Sequence, residues 1–157
     1  MRYKDWSRIG LFALGLLLLG ERAWAEQRCA ADKIHIIMNS VSASAMSGFM
    51  EFDQGVVKSL FLKEKTSWGN GSKINVLTRH PSSKAGDLFM LCALNMDFVA
   101  WDRHWDKNKH LSEPSKVAST RSLLRRIKKD KNAIGYLLDS DIDYLTDQVS
   151  VVYTLTF

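Results

Sequence analysis

Trp68-Gly-Asn-Gly-Ser-Lys-Ile-Asn-Val-Leu-Thr-Arg-His-Pro-Ser-Ser-Lys-Ala-Gly-Asp-Leu-Phe89 is the stretch on which the fold turns. Its asparagine between two glycines is turn chemistry, and Lys73 to Leu77 reads as a short strand. A polar corner follows, with a helix beginning near Ser82 or Ser83. A strand that delivers Arg79, two hydroxyls and a new helix N-terminus to one corner makes an anion-binding shape. Unpaired backbone N–H groups and the helix dipole both favour negative charge there. Arg79, Ser82, Ser83 and Lys84 are therefore the candidate ligand-binding residues. The plainer reading of the same residues is an N-cap serine and a solvated arginine.

Upstream, Lys33-Ile-His-Ile-Ile-Met38 has the apolar, β-rich form of a strand buried on both faces, as in a parallel sheet, and Asn39 ends it. Ser40 to Gly48 is small and polar without a clear period and reads as a loop, with Phe49 to Phe52 packing back on the body. Asp53 is a plausible N-cap for a helix carrying Val56, Val57, Leu60 and Phe61 and ending by Lys65. Asn70-Gly-Ser72 matches a glycosylation sequon.

Downstream, Lys84 to Asn95 places Leu88, Leu91, Cys92 and Asn95 along one helical stripe. Phe98, Trp101 and Trp105 predict a second short helix with an aromatic face. Asp106 to Pro114 is a charged, exposed loop. Ser115 to Asp130 predicts a helix with Val117, Leu123, Leu124 and Ile127 inward and Arg121, Arg125, Lys128 and Lys129 outward, a pattern typical of a solvated face. Ala133 to Leu138 and Val149 to Phe157 are strands. The order of elements is that of an α/β protein.

The length of 157 residues and the ordinary balance of apolar and charged residues suit one globular domain. Arg2, Lys4 and Arg8 precede an apolar run from Ile9 to Gly20, and Ala23-Trp-Ala25 supplies a small-x-small cleavage pattern. Residues 1–25 thus read as a secretory signal peptide, with 26–157 as the mature domain. An uncleaved anchor is the competing reading. Cleavage removes four basic and two acidic residues, so the formal charge falls from +5 to +3. That small excess slightly favours anionic ligands and does not indicate nucleic acid. Cys29 and Cys92 fit no metal spacing. Export would let them form a disulfide, and Cys92 in its apolar run fits equally well as a buried free thiol.

No Gly-x-Ser-x-Gly elbow, Walker loop or dinucleotide fingerprint is present, and His35, His80, His104 and His110 show no recurrent metal spacing. The sequence therefore predicts neither an enzyme nor a cofactor.

Ile36-Ile-Met-Asn39, Val57-x-x-Leu-Phe-Leu-Lys63, Trp68 with the Asn-Gly turn, Ile74-Asn-Val-Leu-Thr-Arg79 with Ser83 and Phe89, and Asn132-Ala-Ile-Gly-Tyr136 occur in one order. As an ordered set they resemble the phosphate-binding, PstS-like substrate-binding proteins of ABC transporters. The resemblance implies a type 2 periplasmic-binding fold, here as a single α/β lobe with a central mixed or parallel sheet flanked by helices. It also implies a periplasmic location, inorganic phosphate or a similar oxyanion as ligand, and a membrane transporter or sensor as partner. The family's corner reads Arg, three residues, then Ser-Gly-Thr. Arg79 and Ser83 keep their places, while Lys84 and Ala85 replace the glycine and threonine. The family's other lobe has no counterpart. An interaction or sensory module that keeps the lobe as a scaffold is the rival reading, with the basic stretch Arg121 to Lys131 and the aromatic stripe as its surfaces.

Overall fold

The computed structural model describes residues 27–48 and 50–157. The predicted signal peptide and Phe49 lie outside the described residues. Strand β1 (Ile34–Asn39) is buried along its whole length. It occupies the fourth place in a five-stranded sheet of order β3-β2-β4-β1-β5, where β2 is Asn75–Arg79, β3 is Ser115–Val117, β4 is Ala133–Leu138 and β5 is Val149–Leu155. Strand β2 runs parallel to β3 and β4, whereas β1 is antiparallel to both β4 and β5. Four strands thus share one direction and β1 opposes them, giving a mixed sheet. Burial on both faces marks β1 as central but does not fix its direction, so its expected parallel pairing is corrected to antiparallel.

Helices among the described residues include α1 (Ser40–Met46), α2 (Gln54–Phe61), α3 (Lys84–Leu88), α4 (Phe98–Lys107) and α5 (Thr120–Lys129). A π turn, Phe89–Ala93, continues α3, and a 3-10 segment, Asp139–Tyr144, follows β4. One face of the sheet presents Ile34, Ile36, Met38, Val76, Ile134 and Tyr136 to α2, the α3–π segment and α4. Phe61, Phe89 and Tyr136 pack in series there, with the Phe89 and Tyr136 rings stacked at 3.8 Å. The opposite face presents Ile37, Leu77, Val117 and Leu137 to Leu123, Leu124 and Ile127 of α5. A methyl on Gly135 of β4 would lie 2.8 Å from Leu123 Cδ1 and 3.2 Å from Ile127 Cδ1, so glycine here lets the side chains of α5 seat directly on the strand. The result is one lobe with helices on both faces of a single sheet.

Several local expectations are revised. Ser40 to Met46 is helical, because Asn39 accepts from the Val41 amide (3.1 Å) and tertiary hydrogen bonds hold the turn: Ser42 Oγ donates to Lys131 O (2.6 Å) and Asn39 Nδ2 to Lys128 O (3.1 Å). Strand β2 starts at Asn75 and reaches Arg79, since Lys73 bridges instead to Ser67. Ser115 to Val117 is a strand, and α5 begins only after Ser119, whose side chain forms a capping box with Ser122. In α4, Trp101 and Trp105 are buried, but Phe98 in its first turn is 58% exposed. Cys29 and Cys92 are joined by a disulfide, S–S 2.04 Å, tying the segment before β1 to the π turn. His35 cross-links strands, with Nε2 at 2.8 Å from Asp139 and Nδ1 at 3.0 Å from Thr154 Oγ1.

Candidate functional site

Three parallel strands end on one edge of the sheet. Strand β2 ends at Arg79, β3 runs through Ala118 and Ser119 into α5, and β4 leads into Asp139–Tyr144. The carboxyl edge is where open α/β sheets place ligands, because connecting loops and helix starts gather there. The Arg79 amide donates to Tyr136 Oη at 3.1 Å, and the same hydroxyl lies 3.2 Å from Thr78 Oγ1. Burial pushes the Tyr136 phenol up to about 12. It therefore stays protonated and fixes the end of β2 in place.

The guanidinium of Arg79 turns toward α5. Its Nη1 donates to Thr120 Oγ1 (2.9 Å) and its Nη2 to Ala118 O (3.2 Å), while Nε is buried without a partner. The Thr120 hydroxyl in turn donates a hydrogen bond to Asp141 Oδ2 at 2.8 Å. Beside this chain opens a cavity of about 590 Å³, walled by Arg79, Arg121, Arg125 and Lys128 as cations and by Asp141 as a single carboxylate. Leu124 and Tyr144 supply apolar wall. The Thr120 and Arg121 amides, first in α5, have no intrahelical acceptor, and the helix dipole adds positive potential at the same end. An arrangement of guanidinium groups, one of them held by two hydrogen bonds, a hydroxyl and open helix amides attracts anions.

The four residues singled out in the sequence are not brought into one hydrogen-bonded group. Ser82 Oγ lies 2.8 Å from His80 Nδ1. Ser83 caps α3, accepting from the Gly86 amide (3.1 Å) and donating to His80 O (2.7 Å). Lys84 Nζ pairs with Asp32 at 3.2 Å. Arg79 alone of the four lines the cavity. Thr120, Asp141 and Tyr144 were not singled out in the sequence, whereas Arg121 and Arg125 are exposed, as expected of a solvated face, and also line the cavity. The available signal was Ser119-Thr-Arg121, a pair of hydroxyls and an arginine ahead of a helical run, the same pattern that drew attention to Ser82 and Ser83. Among the described residues there is no group of three or more His, Cys, Asp or Glu side chains able to hold a metal ion, and no helix long and apolar enough to cross a membrane.

No family model matches the chain, and no curated protein matches it in sequence. Solved structures do share its fold. A candidate phosphate ABC transporter substrate-binding protein with bound phosphate from Clostridium perfringens is 20% identical, with a TM-score of 0.56 over 77% of this chain and 44% of that one. An ABC-type phosphate transport receptor from Vibrio cholerae gives 15% identity and a TM-score of 0.54, over 77% of this chain and 45% of the receptor. PstS from Borrelia burgdorferi gives 14% and 0.52, over 72% and 43%. The chain spans under half the length of these structures, and its described residues form a single α/β lobe of the kind they contain.

Proposed function

We propose that this lobe is an exported, non-enzymatic binding module for phosphate or a related oxyanion, associated with phosphate ABC transport. The observation that carries the reading is the position of Arg79: the last residue of β2 directs its guanidinium to the start of α5, beside a cavity where four cations face one carboxylate. The fold shared with phosphate transport receptors supports it. With this lobe alone the anion stays open to water on one side, so binding to the chain as given should be weak and fall with salt. Ser82, Ser83 and Lys84 belong to the ligand set only if the β2–α3 corner rearranges, since Ser82 must leave His80 and Lys84 must leave Asp32. Calorimetry with inorganic phosphate separates the contributions. Arg79→Ala should abolish the heat, and Ser83→Ala should leave it if α5 alone holds the anion. No heat from the parent protein at millimolar concentrations of either inorganic phosphate or a phosphate monoester would end the reading.

A second reading is favoured by a specific fact: the Arg79 Nη atoms already have protein acceptors, as expected of a scaffold. The lobe then docks on a membrane transporter or sensor through the exposed Arg121, Arg125, Arg126 and Lys129. Loss of co-purification from the periplasm on changing Arg125 and Lys129 to alanine, with phosphate binding absent in the parent, would select it.

A further inference from the structure

The cavity beside α5 is larger than a simple oxyanion needs. On a scale where a water occupies about 30 Å³, the five heavy atoms of orthophosphate fill on the order of 100 Å³, whereas the cavity measures about 590 Å³. Spaces of roughly 300–1,000 Å³ accommodate organic ligands. The walls are also divided in character. Arg79, Thr120 and Arg121 cluster at the start of α5, and Arg125 lies one turn further along the same face. Tyr144, a residue 63% exposed, supplies most of the apolar wall, with the largely buried Leu124 beside it. Asp141 is the single carboxylate, and it is engaged by the Thr120 hydroxyl.

We infer that the cavity takes a phosphate monoester carrying a flat apolar group, with its phosphate at Arg79, Arg121 and the first amides of α5 and its ring against Tyr144 and Leu124. The inference rests on the oxyanion reading for the phosphate half and on Tyr144 and Leu124 for the rest. A dianionic monoester keeps the charge that the cations recognise, while its organic part fills space that orthophosphate leaves to water. Aromatic groups prefer offset or edge contacts with an exposed ring and gain from the water released.

Calorimetry on the full chain with four probes tests this: inorganic phosphate, glycerol phosphate, phenyl phosphate and phenol. Phenyl phosphate should bind about tenfold more tightly than glycerol phosphate. In Tyr144→Ala, checked for an unchanged melting curve, that ratio should fall to near one. Binding of phenyl phosphate with no measurable heat from inorganic phosphate would sustain the inference and restrict the natural ligand to esters. Equal constants for the three phosphates would overturn the inference and leave the oxyanion reading standing. Phenol binding as well as phenyl phosphate would also overturn it, since the cations would then contribute nothing. Silence from all four would remove both.

Discussion

Gly86→Ala is the substitution for which helix propensity and packing predict opposite signs. Gly86 lies in the first turns of α3, where alanine is favoured over glycine by about 1 kcal/mol. Yet a methyl there would sit 2.1 Å from His80 O, 2.8 Å from His80 C and 3.1 Å from Pro81 Cα, all backbone atoms of the β2–α3 corner. The His80 carbonyl cannot swing away freely, because it accepts from the Ser83 amide at 2.9 Å and from Ser83 Oγ at 2.7 Å. Overpacking costs about 1–3 kcal/mol, and weakening two hydrogen bonds adds about 1 kcal/mol each. Set against the propensity gain of about 1 kcal/mol, the net loss is about 2–4 kcal/mol. That lowers the melting temperature by roughly 10 °C in a domain of this size. Urea unfolding followed by tryptophan fluorescence measures it, with Gly69→Ala as the control, since a methyl there meets nothing within 4 Å. A Gly86→Ala midpoint at or above the parent's would refute the close packing of α3 on the corner.

Three further outcomes are expected. Reducing the Cys29–Cys92 disulfide frees a loop with a sequence separation of 63, which in the chain-entropy treatment costs about 4 kcal/mol; identical melting with and without reductant would contradict it. Tyr136→Phe leaves the Arg79 amide without its acceptor and Thr78 with only the Arg79 carbonyl as partner, a loss of about 1–3 kcal/mol by chemical denaturation. The hydrogen bond from His35 holds the Asp139 carboxyl below its ordinary value of 3.8. Its contribution to stability is therefore complete above that value and is lost as pH falls through the lower folded value. Asp139→Asn should flatten the acid limb of the stability profile below pH 3.8, and an unchanged limb would show the carboxylate unpaired.

What the sequence disclosed and what it hid have separate physical causes. The runs at Ile34–Asn39 and Ala133–Leu138 are buried throughout and apolar except at His35 and Asn39, so both strands were legible. Asp53 and Ser83 were legible as caps because their side chains bond amides only three residues away. Strand β3 was not, because Val117 stands seven residues from Leu124 and fits a helical stripe as well as a strand. Only its pairing with β2, a tertiary fact, makes it extended. That omission also concealed the site. Without β3, nothing places Ala118 to Thr120 beside the end of β2, and Arg79 is left to be assigned to the hydroxyls nearest in sequence. Helix α1 was missed for a related reason, since hydrogen bonds to Lys128 and Lys131 hold it and its own composition does not. The direction of β1 cannot be read from residue types, because burial on both faces is the same in either sense.

The most direct test of the claim that anion recognition lies where Arg79 meets α5 is a titration of the ¹⁵N-labelled chain with inorganic phosphate, followed by amide and arginine Nε resonances. The account predicts saturable shifts at Thr120, Arg121 and the buried, unpartnered Arg79 Nε–H. Shifts confined to Ser83 through Gly86, or none at any of these groups, would contradict it.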